Sequence, residues 1–147
     1  MAAPLPPAPP PDRALEVALY ADDLGACAAF YEQVIGLERG PEVPGRHVFF
    51  RLGEGMLLLF NPAASEKPSG NPDLPVPPHG ARGPGHLCFA ADRPALARWA
   101  ERLTGAGIEI EAEFDWPNGA RSLYIRDPAG NSIEFAEPVL WAKSDAD

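Results

Sequence analysis

Positive charge is scarce in this chain: twelve Lys and Arg stand against twenty-one Asp and Glu among 147 residues, a net charge of −9. A surface of that sign repels phosphate backbones and anionic lipid, so neither nucleic acid nor a membrane is an expected partner. Cysteine is scarcer still. Cys27 and Cys88 are too few for a disulfide framework and lack the C-x-x-C spacing of zinc or redox sites, so both are expected to be small buried thiols. No segment is apolar enough for a bilayer span, and the first eleven residues have neither the basic nor the apolar region of a secretory signal, so a cytoplasmic protein is expected.

What is present suits a globular domain, 46% hydrophobic and 22% charged, long enough for one domain or two small interdependent halves. Proline is abundant but segregated, with six of nineteen in residues 1–11 and seven between Pro62 and Pro84. The divisions that follow are a Pro-rich tail at 1–12, a first module at 13–61, a Pro/Gly-rich linker at 62–83, a second module at 84–140 and a C-terminal tail at 141–147.

The two modules repeat each other. Glu16-Val-Ala-Leu-Tyr-Ala-Asp22 lies on His86-Leu-Cys-Phe-Ala-Ala-Asp92 without a gap, each a short strand ending in Ala-Asp. An amphipathic helix follows each, capped by Asp22 or Asp23 in one half and Asp92 in the other, and ended by Gly36 and Gly107. Val48 to Phe60 then matches Leu123 to Phe135 at a constant offset of 75, each reading as a β-hairpin with Arg before a turn that closes on Gly. The order in each half is strand, helix, strand, strand, strand.

Together with Phe30-Tyr31, Val34-Ile-Gly-Leu37, Gly85-His86 and the Asp127-Pro-Ala-Gly-Asn-Ser-Ile-Glu134 ending, this doubled unit resembles the vicinal oxygen chelate superfamily. Glyoxalase I, extradiol dioxygenases and the fosfomycin and bleomycin resistance proteins are its members. The resemblance implies an α+β fold of two tandem βαβββ modules forming a curved mixed sheet that encloses a cup-shaped cavity. It also implies a homodimer.

Strand alternation orients the side chains. Glu16, Ala18 and Tyr20 should face inward, as should His86, Cys88 and Glu134. In the resembled family, inner positions of the first and last strand of each half carry metal ligands, which transfers to Glu16, His86 and Glu134. The constant offset puts the fourth position at Leu59, which cannot bind a metal. Such an oxygen-rich set suits Mn²⁺, Fe²⁺ or Mg²⁺, with Ni²⁺ or Zn²⁺ also open. Glu16 and Glu134 are the catalytic candidates, since one carboxylate can serve as a general base. His47, Phe49, Arg51, Trp116, Ser122, Tyr124 and Arg126 are the substrate-binding candidates, and His79 in the linker is a further candidate ligand.

Two readings compete. One is a divalent-metal enzyme, an isomerase, lyase or dioxygenase, on a small oxygen-rich substrate chelated through neighbouring oxygens. The other is a metal-free cup that sequesters a ligand, as bleomycin resistance proteins do. A purely structural role for Glu16, paired with Arg51 or Arg126, is the plain alternative to either.

Overall fold

The computed structural model describes residues 1–143. Residues 144–147 of the expected C-terminal tail lie outside the described residues. Residues 1–12 carry no helix or strand and are exposed. The first module runs β1 (Glu16–Tyr20), α1 (Leu24–Ala29), β2 (Arg39–Val43), β3 (His47–Leu52) and β4 (Gly55–Phe60). A single helical turn, α2 (Pro62–Ser65), opens the linker. The second module runs β5 (His86–Ala90), α3 (Arg93–Gly105), β6 (Ala112–Asp115), β7 (Arg121–Arg126) and β8 (Ser132–Ala136).

Each module folds into a four-stranded mixed sheet, ordered β1-β4-β3-β2 in one and β5-β8-β7-β6 in the other. The first strand pairs in parallel with the last in each case, while the other pairings are antiparallel. The α+β fold of two tandem βαβββ modules is therefore as expected, with two separate sheets that do not close into one barrel.

Local sequence explains the elements. Asp23 and Asp92 accept hydrogen bonds from Ala26 N and Ala95 N and so cap α1 and α3. After Ala29 the first helix widens into a π-helical stretch, Phe30–Ile35, where a continuous α-helix is expected; Gly36, at φ 85°, ends it. This stretch buries both neighbours Phe30 and Tyr31. Outward residues of the strands, among them Leu19, Phe50, Leu57, Leu59, Phe89, Ile125, Ile133 and Phe135, pack with the helices into a single core shared by both modules.

Asp127 joins the halves. Its buried carboxylate accepts from Tyr31 Oη at 2.7 Å, from Asn131 Nδ2 at 2.9 Å and from the backbone of Ala129 and Asn131. Cys27 Sγ, fully buried as expected, stands 3.5 Å away. Asn131 in turn binds Gly85 N and Tyr20 O, fixing the end of β1 beside the start of β5.

Register corrects one expectation. Four residues separate Arg51 from its partner Met56, but five separate Arg126 from Ser132, so the offset rises from 75 to 76 across the turn. The first-sheet counterpart of Glu134 is accordingly Leu58, opposite Phe49 as Glu134 is opposite Tyr124. Leu59 is fully buried in the core.

Candidate functional site

The inner face of the second sheet gathers polar side chains around Glu134, which is only 5% exposed. Ser122 Oγ donates to Glu134 Oε2 at 2.5 Å, and Trp116 Nε1 donates to Ser122 Oγ at 2.8 Å. A buried carboxylate is tolerable only when its oxygens are satisfied, and this relay satisfies one of them. On the other side His86 Nε2 stands 3.3 Å from Glu134 Oε1. Cys88 and Tyr124 flank the carboxylate in the neighbouring strands, in direct register with it. Burial and the adjacent Glu134 push both up to about 12, so each stays protonated as a donor.

The imidazole of His86 is oriented from behind. Its Nδ1 lies 2.9 Å from Ser132 O, and a carbonyl oxygen only accepts, so Nδ1 carries the proton. In the neutral ring Nε2 is then an acceptor facing the Glu134 oxygen. Two acceptors at 3.3 Å repel unless a proton or a cation lies between them. This arrangement, with a histidine held by a carbonyl at one nitrogen and turned toward a carboxylate at the other, suits a metal ligand pair.

Glu16 stands apart from that pair. It lies on the first sheet, exposed, and lines a cavity of about 880 Å³. Among the described residues no group of three or more His, Cys, Asp or Glu is placed to hold a metal, so the structure brings His86 and Glu134 together without Glu16. The purely structural alternative for Glu16 also lacks its partners. Arg126 pairs with Glu111 at 2.7 Å, and Arg51 reaches the Met56 sulfur at 3.7 Å.

His47 and Phe49 line the same first-sheet cavity, and His79 reaches it from the linker, with Nδ1 2.7 Å from Tyr20 Oη. Arg51 is exposed outside it. Trp116, Ser122 and Tyr124 belong instead to the Glu134 face, where Phe114 stacks on Tyr124 with ring centroids 5.8 Å apart. Cys88, expected to be buried, is exposed on β5, an edge strand of its sheet. Trp141 is 86% exposed. Sequence reasoning missed the Trp116–Ser122–Glu134 relay as a unit, although the alternating parity of Ser122 and Glu134 was its signal.

A fold of two βαβββ sheets with a histidine and a carboxylate on an inner face defines a class, and comparison with known proteins agrees. The family model of the Glyoxalase/Bleomycin resistance protein/Dioxygenase superfamily matches residues 13–135, and the chain belongs to that superfamily. It is similar to a lactoylglutathione lyase structure from Agrobacterium tumefaciens, 48% identical, covering 92% of this chain and 100% of that one with a TM-score of 0.85. An uncharacterized protein of Pseudomonas aeruginosa is 30% identical over 82% of this chain and 84% of its own. A fosfomycin resistance protein from Listeria monocytogenes, complexed with Mn(II), shares the fold at 18% identity, with coverage of 84% and 88% and a TM-score of 0.61. No helix among the described residues is long and apolar enough to cross a membrane.

Proposed function

We propose that this protein is a divalent-metal enzyme of the isomerase or lyase type, acting on a small molecule with neighbouring oxygens. The observation that carries this reading is the approach of His86 Nε2 to the buried Glu134 Oε1 at 3.3 Å, with the other ring nitrogen held by Ser132 O. A cation of the Mn²⁺, Fe²⁺, Mg²⁺, Ni²⁺ or Zn²⁺ class would be held by His86 and Glu134, the two ligand candidates that the fold brings together. When bound, it supplies Lewis acidity toward two neighbouring substrate oxygens.

The protein's own groups divide the remaining work. Glu134 is restrained by Ser122 and His86, which makes it the fixed carboxylate. Glu16, exposed on the first sheet and lining its cavity, is the carboxylate free to take a proton from a substrate that reaches into that cavity. Tyr124, kept protonated, offers a phenolic hydrogen bond to charge developing on a substrate oxygen. Phe114 packs its ring against Trp116 and Tyr124 on that face. A homodimer is part of the same proposal, since the exposed apolar residues Phe114, Val139 and Trp141 offer a surface for a second copy; sedimentation at two protein concentrations checks it.

The second reading, a metal-free ligand-sequestering cup, is favoured by Leu58, which puts an aliphatic side chain where the second sheet has Glu134. Elemental analysis of the purified full chain decides between them. Near-stoichiometric metal supports the enzyme, and screening of dicarbonyl and hydroxy-acid compounds follows; a chain that neither contains nor takes up a divalent ion supports the cup.

A further inference from the structure

The two oxygens of Glu134 stand in different surroundings. Oε1 faces His86 Nε2 at 3.3 Å, whereas Oε2 lies 2.5 Å from the Oγ of Ser122, a residue with no exposed surface. Trp116 Nε1 stands 2.8 Å from the same Oγ. An indole nitrogen only donates, and a hydroxyl has a single proton to give. The indole proton therefore takes a lone pair of Ser122 Oγ, and the hydroxyl proton has to point at Oε2. Trp116 thus fixes the direction of the relay from its far end.

The indole is itself held in place. Trp116 sits in the turn between β6 and β7, where its backbone N–H donates to Ala120 O at 2.7 Å and its carbonyl accepts from Gly119 N at 2.8 Å. Gly119 takes the left-handed position of that turn at φ 87°, and Arg93 Nη2, from the start of α3, donates to its carbonyl at 2.8 Å. Phe114 packs against the indole with ring centroids 4.9 Å apart. The matching positions of the first sheet hold His47 and Leu58, so the device belongs to the half that carries the carboxylate.

A carboxylate with one oxygen engaged by a buried hydroxyl presents the other singly. Small octahedral cations such as Mg²⁺ are bound through few carboxylates and keep several waters, whereas Ca²⁺ gathers roughly six to eight oxygens and gains from a carboxylate that offers both. Groups that stand behind a ligand and fix its orientation tune which ion the site prefers.

We propose that Trp116 and Ser122 are positioning residues that restrict Glu134 to a single offered oxygen and so set the preference of the site for small six-coordinate cations over Ca²⁺. The inference rests on the reading of His86 and Glu134 as a cation-binding pair. It concerns which cation the pair prefers, so the two fail on different measurements.

The test is a calorimetric titration of the chelator-treated full chain with Mn²⁺ and with Ca²⁺, free Mn²⁺ being counted in parallel by its EPR signal. Unaltered protein should bind Mn²⁺ more tightly than Ca²⁺ by about tenfold or more. Ser122→Ala frees Oε2 and should weaken Mn²⁺ binding by about tenfold while Ca²⁺ binding holds or tightens, so that the preference collapses. Trp116→Phe leaves the hydroxyl free to rotate and should move the preference the same way by a smaller factor; it decides the matter alone if Ser122→Ala does not fold. A spectroscopic signature accompanies these: the Trp116 indole N–H resonance, assigned by its loss in Trp116→Phe, should shift when Zn²⁺ is added to unaltered protein and stay in place in Ser122→Ala. Parallel losses of Mn²⁺ and Ca²⁺ affinity in Ser122→Ala would show a merely structural role and overturn the proposal. So would a preference that survives both variants, or an indole signal indifferent to Zn²⁺ in unaltered protein. A chain that binds neither ion overturns the cation-binding pair itself, and this inference with it.

Discussion

The two sheets share a topology and differ in what they present. At matching register the first offers Ala18, Leu58 and Phe49, and the second offers Cys88, Glu134 and Tyr124. One row is apolar, and the other is built around a buried carboxylate with Ser122 and His86 as its supports. A repeated scaffold has therefore been divided between two tasks. Backbone pairing and outward core residues keep the halves alike, while inward residues, which the core does not constrain, are free to diverge.

The sharpest break in the comparison is at the joint that holds the halves in one core. Asp127→Ala leaves the buried groups of Tyr31 and Asn131 without their shared acceptor. It should destabilise the protein by about 3–5 kcal/mol in chemical denaturation, whereas Tyr31→Phe should cost only about 1–2 kcal/mol.

The corrected register is tested next. Leu59→Ala removes a fully buried core side chain and should cost about 2–5 kcal/mol. Leu58, on the cavity wall, has room on one side, so Leu58→Ala should cost less than half as much in the same measurement. Equal losses would return Leu59 to the inner face.

A smaller effect separates the relay from the carboxylate it serves. Ser122→Ala takes one hydrogen bond from Glu134 and leaves Trp116 Nε1 without its acceptor, and should lower stability by about 1–3 kcal/mol. The corresponding change on the first sheet, His47→Phe, interrupts no hydrogen bond among the described residues and should shift the melting temperature little.

Much of this division was legible in the sequence. Strict alternation in Glu16-Val-Ala-Leu-Tyr20 and His86-Leu-Cys-Phe-Ala90 fixes which side chains meet the core, and Asp-capped helices ending at glycine follow in each half. Leu58 was not legible, because aligned Arg and Gly residues carry the same offset through a turn that is one residue longer in the second half. The separation of Glu16 from His86 and Glu134 was hidden as well, since parity says which face a side chain takes but not whether two sheets close over each other. The π-helical stretch at Phe30–Ile35 left no periodic mark distinct from an α-helix. The linker was readable as a long Pro-rich connection, while its fastening through His79 depends on the position of Tyr20 fifty-nine residues earlier.

The central claim is that His86 and Glu134 hold a divalent cation, and the most direct measurement is metal content by elemental analysis, with thermal melts in added Mn²⁺, Fe²⁺, Ni²⁺ and Zn²⁺. An ion that binds the folded state raises the melting temperature by mass action. Unaltered protein should carry near-stoichiometric metal and melt higher with it, and His86→Ala and Glu134→Gln should each lose both effects while Leu58→Ala keeps them. Full metal retention in the His86 and Glu134 variants would contradict the account.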